Sequence, residues 1–395
     1  MIALVGADLV LRDRILQHHA LILRDGRIEA IVPDEAVPAG LTRVIQHAGC
    51  VIVPGFIDVH LHGMEGVDVL DSPAAVSDVA RRLPRYGVTA FCPTSVACAP
   101  ERLKVLLQAT HEARRAPDAR ASRVIGAHLE SNFINPDWNG AQPAACLRTW
   151  SPSSAVGQTF SADDVWRVIE ANHEDVAIVT LAPELPGGLE LVRALVAKGI
   201  RVSIGHSGAS YDEAKTAIQA GVRHATHLFN RMSSITSRSP GVVGAVLESP
   251  DVTAEIICDG HHVHPSLVTL AIKAKSISKV MAITDGTAAA GLPTGARARL
   301  GDQHIIAGER TALLDDGTLA GSILTMDAAF RMLASQGLAL TDVARLCATT
   351  AAEALGLNDS GLIAAGRRAD LVVLDQDHRV RQTYLAGVEA LEPRP

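Results

Sequence analysis

The sequence predicts an α/β chain: a (β/α)8 barrel joined to a small β domain that both chain ends build together. Two observations carry this. Eight apolar runs alternate with helical patterns through the middle of the chain, and strand-and-turn patterns occupy both ends. Apolar strands in series with helices between them are the mark of a parallel sheet covered on both faces.

The N-terminal segment reads as ALVGADLVL, HHALILRDGRIEAIVP and TRVIQHAGCVIV. Within it, Asp25-Gly26 flanked by LILR and RIEAIV is a hairpin signal. The C-terminal segment GLIAAGRRADLVVLD, with a strand pattern around Arg381–Ala386, has the same character. Neither end has enough strands to bury a core alone, so one shared domain is expected over 1–53 and 357–395, with the barrel over 54–356. The barrel strands are expected at 55–62, 87–94, 123–130, 176–183, 201–206, 222–229, 253–260 and 279–286. Helical stretches such as PERLKVLLQATHEARR, LELVRALVAKG, YDEAKTAIQAG and PSLVTLAIKAK fall between them. The segment 286–322 reads as an inserted hairpin, RARLGDQHIIAG, ahead of the last helix TMDAAFRMLAS.

Composition narrows the function classes. The chain has 395 residues, 48% of them hydrophobic and 20% charged, an ordinary globular balance. Its 36 basic and 43 acidic residues give a net charge of −7, which argues against nucleic acid or an anionic membrane as the main partner. No apolar run approaches the ~20 residues that span a bilayer. The N-terminus lacks the basic–apolar–small order of a secretion signal, so a cytoplasmic protein is expected. The six cysteines form no CxxC pair and are expected to be reduced and mostly packing. Histidine is abundant, at 16, whereas Trp, Tyr and Phe number only 3, 3 and 6. Aromatic stacking is therefore not expected to dominate binding.

Several of the expected strands end in a ligand-type residue. The first ends His60-Leu61-His62, and residues two apart on a strand share a face. The third ends His128-Leu129-Glu130, the fifth ends at His206, the sixth carries His227 and the eighth ends at Asp285. Active sites of such barrels lie at the C-terminal ends of the strands. One mouth would thus collect up to four imidazoles and two carboxylates, a set that suits Zn²⁺ or another divalent transition metal.

These residues also carry a resemblance. PGFIDVHLHG (54–63) resembles the opening motif of the amidohydrolase superfamily. SIGHSGASYDEAKTAIQAGVRHATHLFNRM (203–232), CDGHHVHP (258–265), ITDGTAAAGLPTG (283–295) and GTLAGSILTMD (317–327) resemble its N-acetylglucosamine-6-phosphate deacetylase family, over nearly the whole chain. The resemblance implies a metal-dependent barrel with a terminal β-sandwich, usually a homodimer, that removes acetate from a sugar amide.

Carried over by motif, it makes Glu130, His206 and His227 the primary metal ligands and Asp285 the catalytic aspartate. His60 and His62 match a second-metal pair found in some members. One or two ions, Zn²⁺ or Fe²⁺, are therefore expected; the alternative is a mononuclear site that His60 and His62 merely line. Asn230, Arg238 and His262 match phosphate-recognition positions, with Arg238 and His262 expected from the neighbouring subunit. His261 and His264 are rivals to His262 for facing the ligand.

Four departures bear on the substrate. Ser131-Asn132 follow Glu130 where the family has Gly-Pro, and Asn132 adds polar groups beside the substrate. Gln142 replaces a histidine that helps polarise the acyl carbonyl. Arg231 stands beside the phosphate loop, and Gly286 follows Asp285 and is expected to loosen that turn. The expected activity is deacetylation of the phosphorylated amino sugar. The alternatives are an amidase for another N-acyl amino sugar and a non-catalytic sugar-phosphate binder.

Overall fold

The computed structural model describes residues 1–150 and 159–390. Eight parallel strands form a barrel: β1 (Phe56–Leu61), β2 (Val88–Ser95), β3 (Ala127–Glu130), β4 (Val176–Leu181), β5 (Arg201–Ile204), β6 (Val222–Ala225), β7 (Thr253–Ile257) and β8 (Val280–Ile283). Each pairs with the next in chain order. Closure between β8 and β1 comes at their C-terminal ends. The Asp285 N–H donates to the His60 carbonyl at 2.9 Å, and the His62 N–H donates to the Gly286 carbonyl at 2.8 Å. Below them, the buried Asp58 accepts the Thr284 hydroxyl at 2.5 Å and the His60 N–H at 3.2 Å. Burial pushes the Asp58 carboxyl up to about 6, against the pull of these donors.

One helix follows each strand: α1 (Ala75–Arg82), α2 (Pro100–Arg115), α3 (Ala162–Ala171), α4 (Gly188–Ala197), α5 (Tyr211–Ala220), α6 (Gly241–Glu248), α7 (Pro265–Lys275) and α8 (Met326–Ser335). Their start and stop signals are local. Pro100 opens α2, where its missing N–H costs nothing, and Arg114 and Arg115 close it. Ser210 and Glu213 form a reciprocal cap on α5. Buried Val, Ile, Leu and Ala side chains of β1–β8 and the facing helices merge into one core. No helix among the described residues is long and apolar enough to cross a membrane.

The segment between β8 and α8 holds more than the expected hairpin. Arg297–Leu300, Gln303–Ala307, Thr311–Leu314 and Leu319–Ser322 form a four-stranded antiparallel sheet. Its second half was not legible in the sequence because those strands are short and carry no sustained alternation.

The chain ends meet as the sequence predicts. Val51–Pro54 pairs with Leu371–Leu374 inside a six-stranded sheet. Ile2–Val5, His19–Arg24, Arg27–Pro33 and Arg43–Gln46 make a second sheet of four. Leu4, Leu21, Ile28, Ile52, Val373 and Tyr384 are buried in one cluster drawn from both sheets. Asp25 and Gly26 turn the hairpin with φ of 49° and 77°, the left-handed pair that a two-residue turn needs. We propose the domain bounds 1–53 with 357–395 around 54–356; residues 391–395 lie outside the described residues.

Thr284→Val removes the hydroxyl that joins Asp58 to β8 and leaves a buried carboxyl short of a donor. It should lower unfolding stability by about 1–3 kcal/mol, read from the urea midpoint. An unchanged midpoint would show that this contact does not hold the closure.

Candidate active site

The mouth of the barrel is assembled from residues at or just beyond strand ends. Glu130 ends β3, and His62 follows β1. His206, His227 and Asp285 each lie two residues past the ends of β5, β6 and β8, with φ of 48°, 32° and 50°. Left-handed backbone at a non-glycine residue costs roughly 1–2 kcal/mol. Here it turns the chain sharply, and this explains why β5 and β6 stop short of the predicted ends at 206 and 229.

Two groups of donor atoms result. In the first, Glu130 Oε1 lies 2.9 Å from both His206 Nε2 and His227 Nε2, which are 3.0 Å from each other. His206 Nδ1 faces the Trp138 carbonyl at 2.8 Å, so it carries the proton and Nε2 presents a lone pair. In the second, Asp285 Oδ1 lies 3.2 Å from His62 Nε2 and 3.4 Å from His60 Nε2. His62 Nδ1 donates to the Thr94 carbonyl at 3.0 Å, which again leaves Nε2 bare. Imidazole lone pairs and carboxylate oxygens pointing at one another repel unless a positive charge lies among them. This donor set fits a divalent transition metal, and both groups are buried.

The charge balance agrees. Burial opposes ionisation of Glu130, but His206 and His227 hold it well below the usual carboxylate range. Asp285 is likewise lowered by His60 and His62 against its burial. Burial works against a charged His60, yet Asp285, Glu255 and Glu130 raise it to about 10.

These groups open into a cleft at the mouth of the barrel. His62, Glu130, His206, His227 and Asp285 line it together with Gln142, Asn230, Arg231 and His262. Leu300 and Leu319 of the inserted sheet complete the wall.

Three expectations are corrected. Asn132 does not line the cleft: its Nδ2 donates to the Cys98 and Cys146 carbonyls at 2.8 and 2.7 Å, tying two loops together. His262 lines the cleft of its own chain, with Nδ1 donating to Asp259 at 2.6 Å, rather than reaching a neighbour's. Burial lowers His262, but the Asp259 carboxylate outweighs it and favours the charged ring. Gly286 does not loosen its turn. Its carbonyl accepts two N–H groups, from His62 and Gly63, and a Cβ there would meet Leu61 and Thr284 at 3.0 Å. Gln142 is held in place rather than free to turn: Oε1 accepts the Ala97 N–H at 2.7 Å, and Nε2 gives one of its two N–H groups to Glu130 Oε2.

Other residues keep to one side. Arg231, at φ 49°, runs beside Gly140, whose added Cβ would meet Arg231 Nε at 3.0 Å. Arg238 is exposed and does not line this chain's cleft. His128 has both ring nitrogens engaged, by the Val59 carbonyl at 2.9 Å and Thr180 Oγ1 at 2.7 Å. Ser131 donates to the Thr180 carbonyl at 2.6 Å.

Sequence reasoning missed Asp58, Asp259 and Glu255. Asp58 and Glu255 had a signal, a lone carboxylate inside an apolar strand run. Asp259 lay inside a quoted motif, but only the fold puts its carboxylate on His262.

Comparison with known proteins agrees with this picture. Residues 51–392 match the model of the amidohydrolase family. The chain is 35% identical over 384 residues to N-acetylglucosamine-6-phosphate deacetylase of Bacillus subtilis (strain 168), covering 96% of this chain and 94% of that one. It is 32% identical to N-acetylgalactosamine-6-phosphate deacetylase of Escherichia coli O157:H7, over 94% of each. It superposes on the crystal structure of N-acetylglucosamine-6-phosphate deacetylase from Pasteurella multocida with a TM-score of 0.89 at 30% identity, covering 98% of each chain.

Gln142→Ala frees Glu130 Oε2 and strips the Ala97 N–H of its acceptor. It should weaken Zn²⁺ binding at the Glu130 group about 10–100-fold in calorimetric titration. Unaltered affinity would make the contact incidental.

Proposed function

The chain belongs to the amidohydrolase family, and we propose that it is a metal-dependent hydrolase that releases acetate from N-acetyl-D-glucosamine 6-phosphate. The observation that carries this is the Glu130–His206–His227 group beside Asp285, on the wall of one cleft. The named activity of relatives that span nearly the whole chain supports the same reading.

The reaction adds water across the amide. The C–N bond breaks, a C–O bond forms, and the products are acetate and the free amine of D-glucosamine 6-phosphate. Glu130, His206 and His227 would hold a divalent ion, and His60, His62 and Asp285 a second; Zn²⁺ and Fe²⁺ both suit these nitrogen and oxygen donors. When bound, such an ion lowers the pKa of water towards ~7 and polarises the carbonyl.

Asp285 performs the proton transfers. Its lowered pKa keeps it in the base form at neutral pH, ready to take a proton from water. The same carboxyl then passes that proton to the leaving nitrogen. Gln142 holds Glu130 from the side and excludes rotation of its carboxylate. Two groups suited to an anion lie on the same cleft wall: His262, whose charged form Asp259 favours, and Arg231, next to Asn230. They suit a phosphate dianion, Arg231 through its two-pronged guanidinium.

We place the exposed Arg238 at a partner's cleft in a homodimer. Cytoplasmic location is part of the same reading, supported by six free cysteines. One observation favours a second substrate of the same kind: similarity to the galactosamine-type deacetylase nearly equals that to the glucosamine type.

Acetate release should be measured on N-acetylglucosamine 6-phosphate, its C4 epimer and the unphosphorylated sugar. The glucosamine phosphate should give the highest kcat/KM, and loss of phosphate should cost at least about tenfold. Preference for the epimer would support the second reading, and turnover of none of the three by metal-loaded protein would overturn both. Asp285→Asn should lower kcat about 10²–10⁴-fold while the protein keeps the ion at the Glu130 group. Near-normal turnover in that variant would remove Asp285 from the proton-transfer role.

A further inference from the structure

Glu255 sits in the middle of β7, a strand whose other residues are Thr253, Ala254, Ile256 and Ile257, all buried. Its side chain is fully buried. Residues two apart share a face, and Ile257 lines the cleft, so Glu255 lies one layer beneath it. Oε2 is 3.0 Å from His60 Nδ1, and Oε1 has no hydrogen-bond partner. A Glu–His pair in a dry barrel core is a poor source of stability, because apolar side chains of similar volume fill such space at no loss. The pair therefore calls for a reason other than packing.

The reason lies on the far side of the imidazole. A carboxylate at Nδ1 holds a proton there, so the nitrogen that can be given up to an ion is Nε2, which faces the cleft. It meets His62 Nε2 at 3.3 Å and Asp285 Oδ1 at 3.4 Å. His62 is fixed in the same tautomer by the Thr94 carbonyl. With His60 neutral, the result is a set of three acceptors with no donor among them. Rotation of His60 is blocked as well, since the His128 ring packs edge-on against it at 4.6 Å between centroids.

We propose that Glu255 is a positioning residue: it locks the tautomer and direction of His60 and thereby makes the His60–His62–Asp285 group competent to hold a second divalent ion. This rests on the metal-dependent reading given above. Glu255 touches neither substrate nor ion; it acts through His60. Its negative charge also offsets that of a second dication bound beside it.

The test is ion counting on the full chain, without substrate. Metal-free protein is titrated with Zn²⁺ by calorimetry, and bound zinc is measured by elemental analysis after gel filtration. Wild type should bind two ions per chain. Glu255→Leu should bind the first with unchanged affinity and lose the second. Glu255→Gln retains an acceptor for the His60 proton and should restore the second ion at about tenfold weaker affinity. It is the variant to read if Glu255→Leu fails to fold by circular dichroism. One ion in wild type, two equally tight ions in Glu255→Leu, or an equal loss of both ions would each overturn the proposal. Two ions without deacetylase activity would leave it standing and sink the assigned reaction instead.

Discussion

The seam where the last barrel strand meets the first is the contact on which the rest depends. Asp285 and His60 share a backbone hydrogen bond, and His62 is bonded to Gly286 one step further on. These bonds set the register between two strands more than two hundred residues apart in the chain. That register, rather than any side-chain attraction, brings the Asp285 carboxylate over the two imidazoles. The Asp58–Thr284 pair lies directly beneath and stiffens the seam from inside the core. A slip of one residue would turn every side chain of β1 to the opposite face.

The mouth built on this seam is costly in isolation. His206, His227, Arg231 and Asp285 all adopt left-handed backbone there, and the carboxylates of Glu130, Asp285 and Glu255 are buried together. Like charges at this spacing destabilise a fold unless cations neutralise them. The protein tolerates the cost because the surrounding β/α units bury one large continuous apolar core. Fixed tautomers are part of the same design. The carbonyls of Thr94 and Trp138 and the carboxylate of Glu255 each hold an imidazole proton away from the centre.

Substrate choice belongs to a different layer. The cleft wall combines loop residues with the inserted sheet after β8, which contributes Leu300 and Leu319. Gln303 of that sheet donates to the Ala141 carbonyl at 2.5 Å, next to Gln142. The insertion thus braces the loop that steadies Glu130. Loops of this kind vary without disturbing the barrel, so one scaffold serves several amide substrates.

The sequence by itself determined the strand and helix series, the terminal β segments and the identity of the polar residues at strand ends. Those features are local: apolar period, proline and glycine placement, and hairpin turns such as Asp25-Gly26. Tertiary structure alone decided what the polar residues face. Asn132 is adjacent to the site in sequence, yet its amide is consumed by two loop carbonyls. His262 belongs to its own chain's cleft because Asp259, three residues before it, pins the ring there. Gln142 bonds to Glu130 because the Ala97 N–H fixes the orientation of its amide. Glu255 escaped notice because a lone acid in an apolar strand has no meaning until closure of the barrel sets His60 against it. Hydrogen-bond partners are chosen by proximity in space, and a one-dimensional pattern records only which groups are available to be chosen.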